Sequence, residues 1–281
     1  MNIRKILFGM AAAAVLATAP GLTTGAQAAG DSVRPERMPW SFSGPFGTYD
    51  RAQLQRGFKV FREVCASCHS AHFMSFRNLS QEGGPEFTED QVKQIASEYQ
   101  VQDGPNDSGD MFERAGRPSD HWPSPFPNEQ AARAANGGAF PPDLSVITKA
   151  RSYQVGFPGF ITDAFIQYQE YGVDYVHALL LGYEDPPEGA HVQPGLHYNK
   201  YFPGHQIAMP KPLSDEQVEY TDGSPQTVRQ YSEDVSAFLM WVAEPHMETR
   251  KRIGFQVMIF LIVFGGLLYF TKKKVWKNVA H

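Results

Sequence analysis

The chain has 281 residues, 25 basic and 30 acidic side chains, a formal charge of −5 and two cysteines. An acidic balance offers no broad basic surface for nucleic acid, and two cysteines alone cannot complete a thiolate zinc site. The 25 Gly and 21 Pro concentrate between Gly83 and Pro142 and again between Pro186 and Pro212, so the pattern is helices joined by long loops rather than a sheet.

The first element is a leader. Arg4 and Lys5 precede an apolar run from Ile6 to Ala17, and Ala26-Gln27-Ala28 comes after it. A charged start, a short apolar core and an A-x-A site predict a signal peptide over 1–28, with an uncleaved N-terminal anchor as the weaker reading. Residues 29–249 then form an exported domain.

Next comes an amphipathic helix. Asp50 suits an N-cap with Gln53 three residues on, and Leu54, Phe58, Phe61 and Cys65 recur at helical spacing. The helix runs into Cys65-Ala66-Ser67-Cys68-His69. C-x-x-C-H is the attachment signature of haem c: both thiols form thioethers to the porphyrin, and the adjacent imidazole ligates iron. A redox dithiol or half of a zinc site are the plainer readings. Neither explains why a histidine abuts the second cysteine.

An iron held by His69 needs a sixth ligand, or an open position suited to peroxidase or gas chemistry. Outside the leader and the C-terminal apolar run, the candidate thioethers are Met38, Met74, Met111, Met209, Met240 and Met247. Met74 is too close to His69 to reach the opposite haem face, and Met240 and Met247 fall in or beside a helix. Met209 ends the Pro-flanked loop Tyr201 to Pro210, where His205 is the competing ligand.

A second helix is predicted from about Ser224, with Pro225 at its first position, to Glu244, with Val228, Tyr231, Val235, Phe238 and Val242 as its apolar stripe. Beyond it, Ile253 to Phe270 carries no charge. Eighteen helical residues span about 27 Å, close to a bilayer core. Arg250, Lys251 and Arg252 flank one side and Lys272, Lys273, Lys274 and Lys277 the other, so a membrane anchor over 250–272 with a short tail at 273–281 is expected rather than a buried core helix. Given the leader, the domain would face the periplasm of a bacterial cell membrane and the tail the cytoplasm.

The whole pattern resembles the cytochrome c1 family, the haem subunits of cytochrome bc1 complexes. Matching blocks are Arg56-Gly57-Phe58 leading into the C-x-x-C-H, Ala135 to Ser145 with Lys149-Ala150-Arg151, and Asp174-Tyr175-Val176 with Leu181-Gly182-Tyr183. Tyr201-Phe202-Pro203-Gly204 through Met209, Asp222 to Pro225, and Asp234 to Trp241 with Ala243-Glu244-Pro245 complete the set. The resemblance implies a mainly α cytochrome c-type haem domain with long loops and one C-terminal transmembrane helix. It implies one covalent haem c on Cys65 and Cys68 with His69 and Met209 as axial ligands. It sets Arg151 and Tyr175 near the haem propionates, and Asn136 and Pro141 in the loop lining the pocket. An ordinary surface cation for Arg151 and a structural turn for Asn136 and Pro141 are the alternatives.

On this resemblance the chain is an electron-transfer subunit rather than an enzyme on its own. It implies cytochrome b and Rieske iron–sulfur partners, a soluble basic c-type cytochrome as acceptor, and a dimeric complex. A membrane-anchored cytochrome c of a terminal oxidase or dehydrogenase is the alternative, with a haem peroxidase behind it. Residues 29–249 hold 16 basic against 30 acidic side chains, a net charge of about −14, which would attract a basic partner. Acidic patches at Glu86, Glu89 and Asp90, at Glu184, Asp185 and Glu188, and at Asp215, Glu216 and Glu219 are the candidate docking groups, the last two favoured. Residues 81–130 and 154–174 match no pattern.

Overall fold

The Asp50 carboxylate accepts a hydrogen bond from the Gln53 amide (3.2 Å) and starts α1, Arg51–Glu63, where the capping pattern predicted it. In this computed structural model, which describes residues 33–278 apart from Gln167, the expected leader over 1–28 lies outside the described residues. Further along the chain come α2 (Glu89–Ser97), α3 (Glu129–Ala135), α4 (Ile147–Ala150), α5 (Gly159–Ile166), α6 (Tyr171–Leu181), α7 (Val228–Ala243) and α8 (Met247–Val275). Two small antiparallel ribbons punctuate the loops: β1 (Gln100–Asp103) with β2 (Phe112–Ala115), and β3 (His197–Tyr198) with β4 (Gln206–Ile207). The mainly α architecture expected from composition holds.

The core sits where α1 crosses α7. Phe58 and Phe61 meet Phe238 at ring-centroid distances of 5.6 and 5.5 Å, and Trp122 closes on Phe61 at 5.3 Å. Burying aromatic side chains of this size contributes about 1.5–3 kcal/mol each. The crossing requires Gly57, since a Cβ there would lie 2.1 Å from the Asp234 carbonyl oxygen. Asp234 is fully buried and charge-balanced: it accepts from Arg56 Nε (2.9 Å), the Tyr220 hydroxyl (2.9 Å) and Gln230 Nε2 (3.0 Å). A buried carboxylate persists only with such partners.

The helix expected from Ser224 begins three residues later. Thr227 caps the Gln230 amide (3.3 Å), and Asp215 accepts from the Val228 amide (2.7 Å), so the chain stays extended through Pro225. Helix α7 is also buried more widely than one stripe, because α1 packs on one side of it and α4 and α6 on the other.

Helix α8 leaves the domain with an apolar stretch long enough to cross a membrane. Its basic flank does more than mark an interface. Arg250 and Lys149 both pair with Glu244, and Lys251 donates to the carbonyl oxygens of Phe42 (2.5 Å) and Gly47 (3.2 Å). Glu248 meanwhile takes Arg51 at 2.8 and 2.9 Å and the Tyr49 amide at 2.8 Å. These bonds weld the first two turns of α8 to the domain.

Candidate cofactor-attachment site

Helix α1 stops at Glu63, and Cys65–Ser67 forms a single tight turn just beyond it. Both the Cys68 and the His69 amides donate to the Cys65 carbonyl oxygen, at 3.2 and 2.9 Å. The turn gathers the two sulfurs and the imidazole within five residues, with Cys65 half-buried and Cys68 exposed. Cys65 packs against the margin of the core, while Cys68 faces out.

The imidazole is oriented from behind. His69 Nδ1 lies 2.8 Å from the Pro142 carbonyl oxygen. A carbonyl can only accept, so the proton sits on Nδ1 and the Nε2 lone pair is left for an axial ligand bond. Burial pulls the His69 pKa below its ordinary value, against the opposing pull of Pro142 and Asp143, which favours the neutral form that a metal requires.

A strap formed by residues 142–145 holds the carbonyl in place. The Leu144 amide donates to the Ser70 carbonyl oxygen (2.8 Å), and Asp143 accepts from the Ser70 hydroxyl (2.6 Å) and the amides of His72 (2.8 Å) and Ser145 (2.8 Å). The Ser145 hydroxyl accepts from the Phe73 amide (3.0 Å). Burial alone would raise the Asp143 pKa, but these hydroxyl and amide donors hold it below the usual carboxylate range. Pro142, Asp143 and Ser145 are site residues to which the sequence alone assigns no role. Their signal was the Pro-Pro-Asp-Leu-Ser block itself.

Met209 lies just beyond β4 and rests half-buried against the margin of the same core that Cys65 touches. The Tyr183 hydroxyl donates to its carbonyl oxygen (3.0 Å). Burial drives the Tyr183 hydroxyl upward in pKa, with Tyr175 close enough to add to the shift. Tyr175 is itself buried and raised, while the Arg151 guanidinium beside it acts in the other direction. Of this group, Tyr183 and Met209 are joined by a hydrogen bond, while Arg151 and Tyr175 act on their neighbours electrostatically.

The remaining expectations fare differently. Asn136 caps α3, its amide donating to the Ala132 carbonyl oxygen (2.7 Å), a structural bond. Pro141 is half-buried and enters the strap just before Pro142. His205 stacks on Tyr198 at 5.6 Å within the β3–β4 turn. Met38, Met74, Met240 and Met247 are buried in the core, and Met111 is exposed on the β1–β2 ribbon.

The favoured acidic patches also separate. Asp215 is engaged as the partner of the Val228 amide. Glu184 and Asp185 are exposed and line a cavity of about 530 Å³ together with Tyr183 and Lys211.

The donor set suits a metal that arrives inside its own macrocycle. Cys65 and Met209 border one core, and Cys68 and His69 follow Cys65 within the same turn. Among the described residues, no group of three or more His, Cys, Asp or Glu could hold a bare ion. A redox dithiol fits less well, since burial and Cys68 push the Cys65 thiol up to about 12, whereas reactive dithiols carry a lowered pKa.

The Cytochrome C1 family profile matches residues 40–279. A cytochrome b/c1 of Bradyrhizobium diazoefficiens is 66% identical over 248 residues, covering 88% of this chain and 36% of that longer protein. Cytochrome c1 of Blastochloris viridis is 53% identical over 98% of this chain and 94% of its own length. A mitochondrial cytochrome c1 heme protein of Solanum tuberosum is 50% identical over 79% of this chain and 78% of its own.

Proposed function

The chain belongs to the cytochrome c1 family, and from that premise we propose how its residues carry electrons. It is the haem-bearing, electron-carrying subunit of a cytochrome bc1 complex, not an enzyme by itself, and it holds one covalent haem c. When bound, haem c supplies a one-electron ferric–ferrous couple. Cys65 and Cys68 would anchor it through thioethers, and His69 and Met209 would ligate its iron, the thioether favouring the ferrous state. Arg151 and Tyr175 would receive the propionates, where a guanidinium matches a carboxylate fork.

The observation that carries this reading is the 2.8 Å contact between His69 Nδ1 and the Pro142 carbonyl, made beside two thiols. It leaves one nitrogen free at the place where an attached ring would present iron. With Met209 on the iron the chain would be restricted to electron transfer, which argues against the peroxidase reading.

A Rieske iron–sulfur protein reduces the haem, and a soluble basic cytochrome oxidises it. Cytochrome b is the membrane partner, a reading supported by the name of the longer Bradyrhizobium relative, cytochrome b/c1. The complex is dimeric. Residues 250–272 anchor the subunit in the inner membrane, with 29–249 in the periplasm and 273–281 in the cytoplasm.

Purification of the membrane protein with reduced-minus-oxidised spectra tests the reading. A haem c band that survives denaturing electrophoresis, copurifying with cytochrome b and a Rieske protein, is the expected result. Haem c purifying with an oxidase or dehydrogenase would overturn the partner assignment. A ferrous spectrum perturbed by carbon monoxide would overturn the filled sixth position.

A further inference from the structure

Helix α5 is built inside out. Its one buried residue is Asp163, 2% exposed, which accepts from Arg37 (2.6 Å) and from the Tyr171 hydroxyl (2.8 Å). At 100° per residue, Ile161 and Phe165 lie opposite Asp163 and Phe160 and Ala164 fall to one flank, and all four are exposed to solvent. Phe165 is 84% exposed, Ile166 adds to the surface, and Phe157, 81% exposed, extends it with its ring 6.3 Å from Phe160. A helix anchored by its polar side and presenting phenylalanines outward has a neighbour that is not water.

The surrounding contacts say which neighbour. Glu170, four residues beyond Ile166, lies within electrostatic reach of Lys251. Lys251 stands two residues before the uncharged span and binds the Phe42 and Gly47 carbonyls. Arg37, the partner of Asp163, is five residues before Phe42, so it lies at most about 18 Å along the chain from the root of the anchor. In the same loop Phe46 is exposed and meets Phe255 of the anchor edge-on at 5.4 Å. Four residues reach at most about 14 Å, which bounds how far α5 can lie from the root of the anchor.

We propose that the apolar face of α5, with Phe157, lies in the headgroup–acyl boundary of the membrane that α8 crosses. The domain then has a second lipid contact besides its anchor, and the pair of contacts fixes its tilt over the bilayer. No basic side chain lies on this face, and the domain is acidic, so the attachment works by apolar burial and needs no anionic lipid. The inference rests on Ile253 to Phe270 being a spanning helix and is independent of the haem assignment.

Hydroxyl-radical footprinting of the full chain, one copy per phosphatidylcholine nanodisc, tests it. Phe73, 71% exposed beside the attachment turn, serves as the aqueous reference, and Phe264 in the span reports the anchor. The expected result is that Phe157, Phe160 and Phe165 are oxidised several-fold more slowly than Phe73. Phe165→Asp should return Phe157 to the rate of Phe73 with the haem spectrum unchanged. Phe157 and Phe165 reacting like Phe73 while Phe264 stays protected would overturn the proposal and leave the anchor intact. An oxidised Phe264 would overturn the anchor reading itself. Protection found only after partner subunits are added would also overturn the proposal, in favour of a protein surface.

Discussion

The two sides of the haem site are held by very different means. On the His69 side, the strap of residues 142–145 and the segment from Ser70 to Phe73 exchange a chain of hydrogen bonds through one carboxylate, two hydroxyls and several amides. On the Met209 side, the described polar tether is the Tyr183 hydroxyl on the Met209 carbonyl. The first arrangement fixes a tautomer and a ring plane. In its proposed role the second has only to hold a flexible thioether in reach of an iron, and a long side chain tolerates slack. Damage to the first side should therefore cost cofactor or fold, and damage to the second should alter the potential.

The largest effect is expected from Cys65→Ala or Cys68→Ala. Each removes a thioether, so haem should vanish from denaturing gels, and a band retained at full strength in both variants would refute covalent attachment at these residues. Met209→Leu is the counterpart on the other side. Leucine has similar volume, so the fold should lose less than about 1.5 kcal/mol, and the haem should stay attached. The midpoint potential should drop by a sizeable part of the roughly 0.8 V range that axial ligands command. Redox titration decides it, and an unchanged midpoint would move the sixth ligand elsewhere, with His205 next in line.

Asp143→Asn tests the strap directly. It weakens three charge-assisted bonds, so urea unfolding at pH 7 should show a loss of about 2 kcal/mol. The pH dependence has a definite sign. Asp143 titrates lower in the folded chain than in the unfolded one, so its stabilisation is present above the unfolded value of about 3.9 and is lost as pH falls through the folded value. The gap between parent and variant should therefore close below about pH 4. A gap constant from pH 7 to pH 3 would show that the charge of Asp143 is not what holds the strap.

The same contrast explains what could be read in the sequence. The attachment turn is local, so five consecutive residues announced it, and the Asp50–Gln53 cap marked the start of α1 for the same reason. The strap joins residues some seventy positions apart through a proline carbonyl and backbone amides, which leave no periodic trace. The start of α7 was misplaced because Asp215 reaches the Val228 amide from outside the helix. Ribbons of two to four residues are too short for an alternation to stand out. In α5 the pattern shows no clean apolar stripe, and only the Arg37–Asp163 pair reveals which side is inside.

Tyr183→Phe probes the weaker side with a smaller change. It deletes one neutral hydrogen bond to the Met209 carbonyl, worth about 1 kcal/mol, and keeps the ring. The midpoint should shift by much less than in Met209→Leu, with the haem fully retained. A shift as large as that of Met209→Leu would mean that the single tether governs the ligand bond.

The smallest effect concerns the route by which an acceptor reaches the Met209 side. Glu184 and Asp185 come directly after Tyr183 and stand exposed at the cavity it lines, whereas Asp215 is already spent on α7. Reversing the first pair, Glu184→Lys with Asp185→Lys, changes rim charge without touching a described hydrogen bond. Exposed pairs are worth up to about 1 kcal/mol, so association with a basic cytochrome should slow by about two- to fivefold at low salt. At 0.15 M ionic strength the Debye length is about 8 Å, and charges remote from the contact no longer act. The difference between parent and variant should shrink there but persist if these acids lie inside the contact. Stopped-flow oxidation across a salt series measures both. Identical rates at every ionic strength would show that the acceptor approaches elsewhere, and would detach the acidity of this rim from the Met209 side.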